Sequence, residues 1–173
     1  MAITRLNHAV LYVRDIEASV AFYTEVLGFR VVNRIEQAHA AFLQAPGSTN
    51  DHDLGLFGIG AQAGGSSAGK ATVGMYHLAW EVDTLGELAR LADELSKRKA
   101  LIGATDHSTT KSLYGKDPDG LEFEIAWVVP AALLNEQMLD ARSALKPLDI
   151  QREIERFGAD TPGGVGVSHV GSA

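Results

Sequence analysis

The chain has no cysteine among its 173 residues. Disulfides, thiolate metal sites and cysteine nucleophiles are therefore excluded. It also lacks a cluster of basic residues, and its formal net charge is −7. Nucleic-acid binding needs grouped Lys and Arg against phosphates, so no nucleic-acid partner is expected. No apolar run approaches the roughly 18 residues that a membrane-spanning helix requires, so no membrane partner is expected either. The first residues lead into a strand-like run at 6–13 without the basic and long apolar stretches of a signal peptide. The expected location is the cytoplasm. Apolar residues are not scarce. They make up 46% of the chain, enough to bury a sizeable core.

The chain contains a repeat. Leu6-Asn7-His8-Ala9-Val10-Leu11-Tyr12-Val13 and Tyr76-His77-Leu78-Ala79-Trp80-Glu81-Val82 both read as strands, with His near the start and Val five residues later. Each is followed by a helix signal. Asp15 caps the first, with Ile16, Val20, Tyr23 and Leu27 on one face and Gly28 as the stop. Thr84 caps the second, with Glu87 closing a capping box and Leu85, Leu88, Ala92 and Leu95 turned inward. Three extended runs follow each helix: 29–32, 39–43 and 54–59, then 100–104, 112–114 and 121–128. The fold expected is α+β, two βαβββ modules at about 4–59 and 72–128 within a single domain, 1–129. A Gly- and Ser-rich linker at 60–70 joins the modules. Residues 130–173 form a helical extension, broken near Pro147, with a frayed Gly-rich end.

Period-two alternation assigns faces. Ala9, Leu11 and Val13 turn towards the first helix, and His8 turns away with Val10 and Tyr12. In the second copy Leu78 and Trp80 turn inward while His77 turns away. Phe123, Ile125 and Trp127 share one face of the last strand, and Glu122, Glu124 and Ala126 the other. A lone His on a strand is ordinarily a surface or structural residue. Two at the same position of a repeated unit call for more. With Glu124 they form a set of two imidazoles and a carboxylate, which suits non-haem Fe(II) and also accepts Mn, Ni or Zn. The copies are offset by 69 residues, so Gly55 stands where Glu124 would recur, provided no gap intervenes.

The sharpest motif is Thr105-Asp-His-Ser-Thr-Thr-Lys-Ser-Leu-Tyr-Gly-Lys-Asp-Pro-Asp-Gly-Leu-Glu-Phe-Glu124. Asp117-Pro118-Asp119-Gly120 alone would be a tight turn. Taken with His107, Leu113, Tyr114 and Glu124, the segment closely resembles the signature of extradiol ring-cleavage dioxygenases. His52-Asp53-Leu54-Gly55-Leu56-Phe57 resembles the stretch that carries the acid–base histidine of catechol 2,3-dioxygenases, although a histidine in the polar loop 47–53 would otherwise read as solvated. His39 and His169 match nothing in these patterns.

Over about residues 4–128 the chain resembles the vicinal oxygen chelate superfamily, and within it the catalytic domain of the two-domain extradiol enzymes. The resemblance implies that residues 1–129 are a single catalytic domain whose two modules form a metal cleft, with an Fe(II) cofactor, Mn(II) being the other metal of such enzymes, held by His8, His77 and Glu124. It implies that a small aromatic diol and dioxygen are the partners, and that His52, His107 and Tyr114 are catalytic. The implied reaction is cleavage of the ring beside the diol to a muconic semialdehyde-type product. It further implies a homodimer or higher homo-oligomer. Glyoxalase or fosfomycin thiol-transferase chemistry, or a non-catalytic bleomycin-type binding protein, are the alternatives within the superfamily.

Overall fold

A computed structural model describes residues 2–3 and 5–164. The Gly-rich end from 165 onward, with His169, lies outside the described residues. The chain forms two units. One comprises the described residues up to Ser66 together with Asp117–Gly120, and the other Ser67–Lys116 with the described residues from Leu121 on.

The first unit is a βαβββ module. Strand β1 (Ala9–Val13) pairs in parallel with β4 (Leu54–Gly58). β4 pairs antiparallel with β3 (Ala40–Gln44), and β3 with β2 (Arg30–Ile35), giving the order β1-β4-β3-β2. Leu11 and Val13 are buried while Val10 and Tyr12 are exposed, the alternation read from the sequence. Helix α1 (Ile16–Ala21) starts where Asp15 accepts from the amides of Glu17 and Ala18. It does not run on to Leu27 as a regular helix. It widens into a π-helical turn, Phe22–Val26, which adds residues per turn and advances the inward face. Tyr23 and Val26 are buried as a result, and Leu27 is only half-buried. Within this unit Arg14 Nη1 meets Asp119 Oδ1 at 2.7 Å, and the Tyr23 hydroxyl donates to Asp117 Oδ2 at 3.2 Å. His39 is exposed, in a left-handed conformation (φ 46°) just before β3.

The second unit repeats the module and enlarges it. Its sheet has the order β5-β8-β7-β6-β9. The strands are β5 (His77–Glu81), β6 (Leu101–Asp106), β7 (Thr110–Lys116), β8 (Glu122–Val128) and β9 (Lys146–Pro147). Helix α2 (Leu85–Lys97) is capped by Thr84, which accepts from the Glu87 amide. The capping box is not closed, because the Glu87 carboxylate turns to Arg90. Leu85, Leu88, Leu91 and Leu95 are buried, so Leu91 takes the inward place read for Ala92. Phe123, Ile125 and Trp127 fill the core under the sheet.

The repeat holds in register. Ala9 pairs with Leu54, and 69 residues later Leu78 pairs with Phe123. The spacing from the first strand to the last is the same in both copies, the shorter β7–β8 turn being made up by longer connections before β7. Both β2–β3 and β6–β7 carry a bulge at the corresponding place, between Val31 and Asn33 and between Leu101 and Gly103.

Beyond Pro130, α3 (Glu136–Asp140) precedes β9, and α4 (Ile150–Phe157) follows it. β9 pairs with the edge strand β6, where Pro147 lacks only a donor that an edge does not need. α4 lies against α2. The Phe157 ring packs on Trp127 at 5.5 Å, and the Trp127 indole donates to the Thr161 carbonyl at 3.1 Å.

Candidate functional site

Within the second unit, the β-ladder brings three candidate residues onto one face. Tyr114 on β7 stands directly across from Glu124 on β8, and Glu124 is paired with Ala79 on β5. His77 begins β5, and its Nε2 lies 3.1 Å from Glu124 Oε2. The side chains are 24% and 15% exposed, so the pair is sheltered without being sealed. Ser112, two residues before Tyr114 and thus on the same face, donates its hydroxyl to Glu124 Oε1 at 2.5 Å. Sequence reasoning passed over Ser112, although its even spacing from Tyr114 places it on that face. His77 Nδ1 is buried and has no hydrogen-bond partner.

His107 sits in the short turn between β6 and β7. Its Nε2 lies 3.0 Å from the Tyr114 hydroxyl. Burial, and after it the charge of Glu124, hold the Tyr114 phenol above its usual pKa range. At neutral pH Tyr114 is therefore a hydrogen donor. The Tyr114 ring also meets the His77 ring edge-on at 5.9 Å. So His77, Glu124, Tyr114 and His107 are gathered in one unit, on strands and a turn whose spacing the motif encodes.

The first unit gathers the other two. His8 lies one residue ahead of β1 rather than in it, and is exposed. Its Nδ1 is held by Asn7 Oδ1 at 2.6 Å, a contact that orients the ring. The His52 ring stacks on that of His8 at 4.4 Å, with Phe42 against it at 5.0 Å. His52 Nδ1 meets Asp51 Oδ2 at 2.9 Å. The side chain is 17% exposed, and Nε2 is buried without a partner. This is not a solvated loop histidine. The loop is built around Asp53, which accepts from the Ala45 amide, the Ser48 hydroxyl and the Asn50 side chain. Burial alone would raise the Asp53 pKa, but these hydrogen bonds bring it below the ordinary carboxylate value.

An imidazole nitrogen and a carboxylate oxygen are donor types that a divalent first-row cation accepts. Ser112 on Glu124 and Asn7 on His8 are outer partners of the kind that orient such ligands. The residues present fit a metal in these respects. Among the described residues, no three His, Asp or Glu side chains are already gathered closely enough to hold one. His77 and Glu124 are the pair that is formed.

The biphenyl-2,3-diol 1,2-dioxygenase 3 of Rhodococcus globerulus is 34% identical over 127 residues, covering 70% of this chain and 62% of that protein. The catechol-2,3-dioxygenase of Bacillus subtilis (strain 168) is 27% identical over 122 residues, covering 70% of this chain and 41% of that protein. The chain thus spans less than two thirds of the length of either relative. A glyoxalase/dioxygenase from Nostoc punctiforme shares the fold with a TM-score of 0.59 at 24% identity, covering 70% of this chain and 89% of that one. Lactoylglutathione lyase from Agrobacterium tumefaciens shares it at 0.53 and 19%, covering 73% and 95%. No described helix is long and apolar enough to cross a membrane. The family model of the glyoxalase/bleomycin resistance protein/dioxygenase superfamily matches residues 5–125, and the chain belongs to that superfamily.

Proposed function

We propose that this chain is an Fe(II)-dependent extradiol dioxygenase that opens the ring of a catechol beside its diol. The observation that carries the reading is the joined set on one sheet, with His77 3.1 Å from Glu124 and His107 3.0 Å from Tyr114. The two relatives named for dioxygenase activity on vicinal diols support it. His77, Glu124 and His8 are assigned as ligands, His8 on the strength of its matching place in the repeat. The same donors suit Mn(II). Bound Fe(II) would supply the shared centre at which the diol and dioxygen meet and exchange electron density.

The other residues have separable tasks. Ser112 holds one oxygen of Glu124 and leaves the other directed at His77. Tyr114, kept protonated by its surroundings, donates to a substrate oxygen and to the negative charge that grows there. His107, its Nε2 on the Tyr114 hydroxyl, fixes where that donor points and supplies a second polar contact to substrate. His52 accepts a diol proton at Nε2, the buried nitrogen without a partner, while Asp51 holds Nδ1. A small aromatic diol offers the acidic hydroxyls that these groups can take up.

The test is anaerobic loading with Fe(II), addition of a panel of catechols, and then admission of oxygen. A yellow ring-opened product appears with one dioxygen consumed per product. Absence of both product and oxygen uptake across the panel overturns the reading and leaves the other chemistries of the superfamily.

A further inference from the structure

The second unit contains a buried cation that the proposed reaction does not use. Lys111 is fully buried on β7. It alternates with Ser112 and Tyr114, so it points to the opposite face of the sheet, the one covered by the C-terminal helix α4. Its Nζ lies 2.5 Å from Asp106 Oδ1, 3.1 Å from the Ser108 carbonyl and 3.0 Å from Glu153 Oε2. The Phe157 ring is 5.9 Å away. Arg156 Nη1 stands 3.6 Å from Glu153 Oε2, which balances the charges of the group.

A buried ion cluster of this kind is seldom what a fold needs for stability. Desolvation costs about what the pairing returns, and an apolar side chain of similar volume usually serves as well. What Lys111 does that an apolar residue cannot is hold Asp106 and the Ser108 carbonyl together. Those two residues flank His107. Asp106 Oδ1 also accepts the Ser108 amide at 2.7 Å, and Ser108 is held at φ 70°, a left-handed conformation that costs a residue with a side chain. The His107 amide donates to the Thr110 carbonyl at 2.9 Å. The turn is thus pinned on its core side by Lys111, while on its other side the His107 ring reaches Tyr114.

We propose that Lys111 and Glu153 are positioning residues, through which the C-terminal helix holds the turn that aims His107 at Tyr114. This rests on the assignment of His107 to the site. It gives the extension beyond residue 130 a task other than covering the core. Within that extension, α4 places Glu153 and Phe157 beside Lys111 on the face opposite Tyr114. It acts from behind the sheet, where Glu153 fixes the Lys111 ammonium and the ammonium fixes the turn.

The experiment uses the full chain with Glu153→Gln and Lys111→Met, and with Glu155→Gln on the exposed side of the same helix as control. Nitrogen and proton NMR of the His107 ring, taken without metal or substrate, reads the tautomer set by the Tyr114 contact. Steady-state kinetics on the iron-loaded protein reads kcat and KM separately. In Glu153→Gln the ring nitrogens of His107 lose their single-tautomer signature. Its kcat falls about tenfold, the scale of a small misplacement of a reacting group, while KM and iron content hold. The control matches the wild type in every readout. Should Lys111→Met fail to fold, Glu153→Gln decides alone. Unchanged His107 signals in the variants, with only a lower melting temperature, overturn the proposal and leave Lys111 a structural anchor. The NMR readout needs no turnover. If the wild type opens no catechol, the reading of function fails while the positioning claim is still decided.

Discussion

Replacing Tyr114 by Phe removes one oxygen and little else, so its effects can be apportioned from the structure. The ring stays, and with it the edge contact to His77 at 5.9 Å. The lost group is the hydroxyl that meets His107 Nε2 at 3.0 Å in a half-buried setting. A neutral hydrogen bond of that kind contributes about 0.5–1.5 kcal/mol to the folded state. A chain of this size then loses only about 2–4 °C in melting temperature per kcal/mol. Rate is affected more. If the phenol donates to charge that develops only during reaction, its loss costs about 2.7–4 kcal/mol of transition-state stabilisation, or roughly 10²–10³ in kcat. The Tyr114 hydroxyl is not assigned to the metal, so iron content after anaerobic loading stays at the wild-type level. Three measurements decide: melting temperature, iron per chain, and kcat with KM on the best catechol. Unchanged kcat would return Tyr114 to a structural role. A loss of iron in proportion to the loss of rate would instead place the hydroxyl among the groups that hold the metal, and would refute the separation of tasks drawn here.

Three further outcomes are expected. His77→Ala removes a formed donor of the His77–Glu124 pair and lowers iron bound after loading at least tenfold by metal analysis; equal content in variant and wild type removes His77 from the ligand set. His52→Gln keeps a polar side chain but cannot exchange a proton near neutral pH, so anaerobic catechol affinity holds while ring opening falls roughly 10²-fold and one limb of the pH–rate profile disappears; wild-type rates and profile would exclude His52 as acid or base. Gly115→Ala places a methyl 2.8 Å from Phe123 Cε2, and Phe123 is 1% exposed, so the core must shift at a cost of about 1–3 kcal/mol, seen as a lower denaturation midpoint; unchanged stability would mean that the ring moves freely there.

Much of this was legible in the sequence because strand alternation and the repeat obey short rules. β1 and β8 bury the residues that period two assigns to the core, and the 69-residue offset survives as strand register. Two things were not legible. The π-helical turn at Phe22–Val26 follows a normal helical pattern in composition, and Val26 reaches the core only because the helix widens. Lys111 shares a face with Leu113 on a strand that reads as a mixture of polar and apolar residues. Nothing local marks it as buried; the residue that partners it, Glu153, lies 42 positions later on α4. A lysine is read as solvated unless its carboxylate is known, and a long-range pair is what a pattern of short period cannot contain.

The two copies of the module carry different side chains at matching places, and the packing around those places differs. Glu124 faces Ala79 in the second copy; in the first, Gly55 faces Val10 at the same register. A Cβ at position 55 would stand 3.3 Å from Val10, which would have to give slightly, and in ordinary contact, 3.5 Å, with the Phe42 ring. Phe42 in turn packs on His52 at 5.0 Å. The side chain beside position 55 is therefore the one that supports the His52 ring. The second copy carries no counterpart of that support, because β8 follows β7 after a turn too short to hold the 47–53 loop. The second module thus carries a carboxylate opposite a hydrogen-bonded tyrosine, and the first a pair of histidine rings 4.4 Å apart with Phe42 against one of them.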